Sequence, residues 1–178
     1  QTHQCARSPA DTLYEGLRVT LVDGTKIIVP RTDETIAKYH LGSGRTGDAY
    51  FPQIHAGGFL DLVTGTFADV NFEHGVPAER QMVFEHAQGA KEPTLYVGDA
   101  GQNGMFHVYR MMQTGHHLLM ALKMGDLAEQ FRKSGRRSAR VQVVLTRAQL
   151  KDHPEHAHLA GSSFTVRLIR TYGTTKLR

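Results

Sequence analysis

The sequence contains no tryptophan and a single cysteine, Cys5. A lone thiol cannot close an internal disulfide, which excludes a cystine-stapled small domain and suits a reducing compartment. No apolar run approaches the ~20 residues that a membrane-spanning helix needs. The N-terminus, Gln1-Thr2-His3, has neither an initiator Met nor a basic-then-apolar leader pattern. It reads as the cut edge of something longer. There is no internal repeat. Gly42, Gly44 and Gly47 make no phosphate loop, because no Gly-Lys-Ser/Thr ending and no following helix accompanies them. Aromatic residues are only 8% of the 178 positions, but hydrophobic residues are 40%. That supports one sizeable core, hence one domain with a smaller appendage.

Acidic residues are scarce toward the C-terminus. From Phe131 onward there are 11 Lys/Arg against 2 Asp/Glu, whereas the first 130 residues hold 10 against 15. The formal net charge of +4 therefore conceals a basic half and an acidic half. The basic half is a candidate polyanion surface, and the acidic half is where a metal site would sit.

The stretch Arg18 to Pro30 organises the rest. Leu17, Val19 and Leu21 alternate onto one face of a strand, and period two sends Asp23 out on that same face. A carboxylate ending an apolar face is poorly hydrated and calls for a cation, a donor or a metal. Leu95 and Val97 repeat the device with Asp99, followed by Gly101. Two such carboxylates on neighbouring strands would make half of a divalent-metal site. The alternative is that each Asp ends a strand and bonds a turn backbone, as Asp before Gly often does.

Residues 1–16 read as a lead-in. Strand one runs to about Val29, and 31–50 read as a long polar, glycine-rich loop. From Phe51, Ile54, Ala56, Leu60 and Leu62 share a parity; Thr64-Gly65-Thr66 makes a hairpin turn; Ala68, Val70 and Phe72 follow on the returning strand. Asp61 and Asp69 are taken as turn or edge residues. A helix then starts near Pro77, buries Met82, Val83 and Ala87, and stops at Gly89. Strand four covers Thr94 to Asp99. A second helix, capped by Asn103, carries Met105, Val108, Tyr109 and Met112 to Gly115. His116 to Lys123 forms strand five. Beyond Gly125 the spacing predicts a basic, β-rich segment with strands at Val141–Thr146 and Phe164–Arg170.

Three strands, a helix, a strand, a helix and a strand is the element order of the ribonuclease H-like fold. A right-handed crossover would bring strand four beside strand one. The chain also resembles the DDE transposases of bacterial insertion sequences, in the group named after insertion sequence four. The resemblance rests on Leu21-Val22-Asp23-Gly24-Thr25 leading to Pro30 and Thr32-Asp33-Glu34. It continues through Gly57 to Gly65, then Glu79-Arg80 before a helix, and Tyr96-Val97-Gly98-Asp99. It covers most of residues 13–125 and, more loosely, the segment to Tyr172.

The resemblance implies an α/β, ribonuclease H-like mixed sheet flanked by helices, with a β-rich insertion toward the C-terminus. The implied division is 1–16 lead-in, 17–125 partial catalytic core and 126–178 basic insertion. It implies a metal-dependent polynucleotidyl transferase that cleaves DNA and transfers strands at transposon ends. Asp23 and Asp99 would match the first two catalytic carboxylates and ligate Mg²⁺ or Mn²⁺. Partners would be DNA ends and target, with a homodimer on paired ends, in the bacterial cytoplasm at the nucleoid and not at a membrane. Two Mg²⁺ ions about 3.5 to 4 Å apart clamp a phosphate from either side in such chemistry. The family's third carboxylate, a Glu in a Tyr-Arg-Glu-Lys signature on a later helix, has no match in this sequence. The Arg that usually follows the second carboxylate is replaced by Ala100. Turnover by this chain is therefore expected to be weak or absent.

Arg132, Lys133, Arg136, Arg137 and Arg140 are the candidate DNA-binding residues, holding phosphates without base specificity. A solvated loop between strands is the other reading of that run. Arg167 and Arg170, alternating with Val166 and Leu168, would extend the basic surface. His153, His156 and His158 with Glu155 fit no common zinc spacing and read as a solvated cluster, while His116 and His117 read as packing or surface residues. Two functional alternatives remain: a catalytically dead remnant that only binds DNA, and a non-enzymatic protein-interaction module.

Overall fold

Val19, Thr20 and Val22 lie within one strand and all are buried, so the strand that holds them has neighbours on both edges and cover on its faces. In the computed structural model, which describes residues 13–39, 41–44, 47–74, 79–122 and 125–170, that strand is β1 (Arg18–Ile28). It is followed by α1 (Asp33–Tyr39), β2 (Leu41–Gly44), β3 (Gly47–Asp61), β4 (Thr66–His74), α2 (Glu79–Gly89) and β5 (Thr94–Gly98). Then come α3 (Met105–Gln113), β6 (His117–Met120), α4 (Asp126–Lys133), β7 (Ser138–Val144) and β8 (Ser163–Ile169). The chain divides into two compact units, Gln1–Gln102 with Arg110–Ala121, and Asn103–Tyr109 with Leu122–Arg178.

The first unit is built on a mixed sheet in the order β2-β3-β1-β5-β6, with β4 also pairing β3. β1, β3 and β4 form an antiparallel meander. β5 and β6 then add in parallel, first beside β1 and then beside β5. Parallel neighbours need a crossover, and α2 supplies the one between β4 and β5. α2 has Met82, Val83 and Ala87 buried at the spacing of one helical face. They meet Val22, Phe59, Tyr96 and Met111 in a single cluster. Each such large apolar side chain contributes roughly 1.5–3 kcal/mol of burial.

Two polar arrangements lock the rim of that core. Asp61, 2% exposed, accepts from Arg18 Nε at 2.8 Å and from the N–H groups of Val63 and Thr64 in the β3–β4 turn. Burial pushes its carboxyl up, but the Thr64, Arg18 and Val63 donors outweigh burial and hold it below its ordinary value. Sequence reasoning made Asp61 a turn residue; it is also half of an ion pair. On the far side of the cluster, the His86 ring stacks on Phe59 with centroids 4.0 Å apart. Its Nδ1 lies 2.9 Å from the hydroxyl of Tyr96, and burial pushes that phenol up to about 12. His116 is also buried and accepts the Thr94 N–H on Nδ1 at 3.2 Å.

Several segments differ from the sequence expectation. The loop foreseen over 31–50 contains α1, β2 and the start of β3. Thr32 accepts the Thr35 N–H on Oγ1 and the Ile36 N–H on its carbonyl, so the helix starts from a local hydroxyl cap, although none of its residues is buried. In β3 the core residue is Phe59, 1% exposed, whereas Leu62 is 54% exposed. Val22 pairs Phe59 and both join the cluster beneath α2, so the parity that carries Leu60 and, on β4, the partners Val70 and Phe72 turns to the other face. Val70 and Phe72 are accordingly exposed. In α3 the buried residues are Phe106, Val108 and Met111, and Met112 is exposed. Strand five is only the four residues of β6. Cys5, Pro77, Lys123 and Tyr172 lie outside the described residues.

In the second unit, β7 and β8 form a two-stranded antiparallel ladder from Ser138↔Ile169 to Val144↔Ser163. The expected β-rich segment also contains a helix, α4. Its first turn has Asp126 and Glu129 and its last turn Arg132 and Lys133, a charge order that suits the helix dipole. The density of basic residues concealed it. Arg147–Leu150 and Pro154–Leu159 form 3₁₀ turns, the first closed by a capping box between Thr146 and Gln149.

Burial pushes the His86 imidazole down, with Arg18 and His116 acting in the same sense and Asp69 opposing. The unfolded chain therefore takes up a proton on this residue that the folded chain resists. Stability is present above the ordinary value of 6.5 and falls as pH drops through it. Thermal melting followed between pH 8 and pH 5 should show wild type losing more stability on acidification than His86→Gln.

Candidate functional site

β1 and β5 pair in parallel up to Leu21↔Val97. Two residues further along each chain stand Asp23 and Asp99, so the register sets both at the same end of adjoining strands, whose spacing is about 4.8 Å. On its other side Asp23 pairs with Gly58 of β3. These two carboxylates are not the desolvated groups that alternation suggested, because both are exposed. Asp23 is also not at the end of β1, which continues to Ile28 paired to β3 alone. Asp23 Oδ1 accepts the Gly24 N–H at 2.9 Å, and Asp99 Oδ1 accepts the Gly101 N–H at 2.6 Å.

A third carboxylate reaches the same place. Glu79, the first residue of α2, lies with Oε1 against Gly24, the residue after Asp23. Its Oε2 lies on the Gly101 side: a methyl on Gly101 would sit 2.8 Å from Glu79 Oε2 and 2.8 Å from Asp99 Oδ1. The two oxygens are thus no farther apart than twice that distance. Glycine permits this approach. Gly24 and Gly57 are register partners on adjoining strands; the first makes room for Glu79 and the second for Met82, whose Cε would be 2.6 Å from a methyl there. The first turn of α2 therefore settles onto a strip of sheet that carries no side chains. Arg80 Nε donates to the Gly101 carbonyl at 3.1 Å and ties the loop after β5 to the helix.

Gln102 closes the site from below. It is 1% exposed, and its Nε2 donates to Glu79 Oε2 at 3.4 Å. With Asp23, Glu79, Val22 and Phe59 it lines a small cavity of about 10 Å³. Among the described residues, no three His, Cys, Asp or Glu side chains already converge as a cage for one metal ion. The arrangement offers oxygen donors only, the chemistry of a hard cation such as Mg²⁺ or Mn²⁺.

Sequence reasoning quoted Glu79 only as part of a likeness and gave it no role. The available signal is Gly24 directly after Asp23 and Gly101 two residues after Asp99, which leave room for another side chain as well as marking turns.

The basic candidates lie in the second unit. Arg132 and Lys133 end α4, and Lys133 Nζ pairs with Glu129 at 2.8 Å. Arg136 and Arg137 occupy the turn that follows, and Arg140 stands on β7. In the β7–β8 ladder Ala139↔Leu168, Val141↔Val166 and Val143↔Phe164 form the inner face. The outer face places Arg140 directly opposite Arg167, both exposed. Like charges so placed repel and favour a polyanion across them. Arg170 is not part of that face. Its Nη2 donates to the Phe131 and Arg132 carbonyls at 3.2 and 2.6 Å, closing the C-terminus of α4.

The histidines are not simply solvated. His153 and His156 flank the ring of Phe106 at 4.7 and 5.1 Å, with Glu155 Oε1 3.6 and 3.5 Å from their nitrogens.

No protein-family model matches this chain, and no curated protein matches it. Among the described residues no helix is long and apolar enough to cross a membrane.

Gly98 tests how tightly the site is packed. A methyl there would lie 2.5 Å from Gln102 Cγ and 3.2 Å from Val22 Cγ2, both parts of buried side chains. Gly98→Ala should destabilise the fold by about 1–3 kcal/mol in urea titration. Gly65→Ala meets no neighbour, though Gly65 has a positive φ of 67°, and should cost about 1 kcal/mol from backbone strain alone.

Proposed function

We propose that this chain is the ribonuclease H-like catalytic portion of a DDE-type DNA transposase, acting in metal-dependent cleavage and strand transfer at DNA ends. The observation that carries the reading is the parallel register of β1 with β5, which brings Asp23 and Asp99, 76 positions apart by their numbers, to one edge of the sheet. A meander β4-β3-β1 continued by parallel β5 and β6 agrees with the strand arrangement that this fold requires. Asp23 and Asp99 would hold Mg²⁺ or Mn²⁺. The bound cation supplies activation of the attacking oxygen and stabilises charge on the departing one. Arg140 and Arg167 hold backbone phosphates, with Arg132, Lys133, Arg136 and Arg137 on the same unit adding to the positive field.

A second reading, DNA binding without catalysis, is favoured by one observation. Each Asp already accepts a backbone N–H from a following glycine, which is what a purely structural turn residue does.

The two readings separate on nicking of supercoiled DNA in Mn²⁺. Slow nicking that is lost in Asp23→Asn and in Asp99→Asn, with unchanged melting temperatures, supports the transposase reading; equal activity in all three proteins rejects it. DNA affinity titrated against salt should weaken steeply. Each of Arg140→Ala and Arg167→Ala should lower the log–log salt slope by about 0.9. A slope unmoved by both substitutions removes the ladder from the DNA-binding surface.

A further inference from the structure

We propose that Glu79 and Gln102 complete a divalent-cation site with Asp99 and Asp23, so that this chain binds a hard cation without a carboxylate from a later helix. The inference rests on the metal-dependent reading of the same strand ends and assigns two ligands that reading does not contain.

Glu79 spans the gap between the two strands. One of its oxygens lies at Gly24, next to Asp23, and the other shares the space over Gly101 with Asp99 Oδ1. Carboxylates so placed sum to a local negative potential that attracts a cation. Among the described residues no Lys, Arg or His lies within ion-pair distance of Asp23, Glu79 or Asp99. Arg80, the nearest cation in sequence, donates to the Gly101 carbonyl instead.

Gln102 is the independent observation. It is 99% buried by its 1% exposure, yet its Oε1 accepts from no donor among the described residues. The amide cannot be turned round to cure this, because Nε2 faces Glu79 Oε2; reversal would set two oxygens against each other. A buried carbonyl oxygen wants a donor or a cation. Gln102 lines the same cavity as Glu79 and Asp23, and its volume of about 10 Å³ suits a single water or ion. Carboxylate and amide oxygens are the donors that Mg²⁺, Mn²⁺ and Ca²⁺ take. Glu79 and Asp99 bring oxygens to the space over Gly101, Gln102 offers an unanswered oxygen in the cavity it lines with Glu79 and Asp23, and Asp23 joins by releasing the Gly24 N–H.

The test is Mn²⁺ binding to the full chain, read by calorimetry and by the electron paramagnetic resonance of free Mn²⁺. Wild type should bind, and Glu79→Gln should bind at least tenfold more weakly. Gln102→Leu should also weaken binding while leaving the metal-free melting temperature equal or higher, since it removes the unanswered oxygen. Wild-type affinity in Glu79→Gln overturns the inference. If Asp23→Asn and Asp99→Asn nevertheless lose Mn²⁺, the metal-dependent reading of the strand ends survives that failure. No Mn²⁺ binding by wild type overturns both. Should a variant fold poorly, amide NMR of wild type decides: Mn²⁺ must broaden Gly24, Gly101 and the Gln102 side-chain amide. Broadening confined to His153–His158 overturns the proposal.

Discussion

The pairing of β1 with β5 is the constraint from which the rest follows. A parallel couple in mid-sheet can form only after the chain has crossed over, and the crossover here buries Met82, Val83 and Ala87 of α2 against Val22, Phe59 and Tyr96. The same contact that stabilises the sheet therefore positions the start of α2 over the strand ends. Core packing and site geometry are one event. Substituting Phe59 or Tyr96 would disturb the acidic edge without touching any carboxylate.

Glycine decides how close that helix comes. Gly24 and Gly57 stand side by side, the end of β5 adds Gly98, and the loop after it adds Gly101. A side chain at any of the four would press on Glu79, Met82, Gln102 or Asp99. The sheet surrenders four sets of packing contacts at this edge, and it gains a place where polar oxygens from two layers meet. An edge built only for stability would fill those positions.

Much of this was legible from residue pattern. Alternation from Val19 to Asp23 and from Leu95 to Asp99 gave both strands, and the order of elements gave their adjacency. Met82, Val83 and Ala87 showed the buried face of α2. What escaped notice shares a physical cause: it depends on partners distant in sequence. Which parity of β3 packs is set by Val22 and α2, which select Phe59 over Leu60. α1 buries none of its residues, and α4 has only the short stripe Leu127, Ala128 and Phe131, none of it buried, amid charged residues. Glu79 is one more acidic residue at a helix start until the sheet is folded beneath it. The reasoning from poor hydration failed because Asp23 and Asp99 are exposed; their significance lies in adjacency.

The Arg140–Arg167 couple carries a consequence for how the second unit responds to its medium. Two positively charged side chains at one register pair, of which Arg167 donates through Nε to Ser138 Oγ, repel each other when no anion is near, and mobile counterions relieve that repulsion. Added electrolyte thus steadies the ladder. The second unit is in this respect a fold whose cohesion rises with ionic strength.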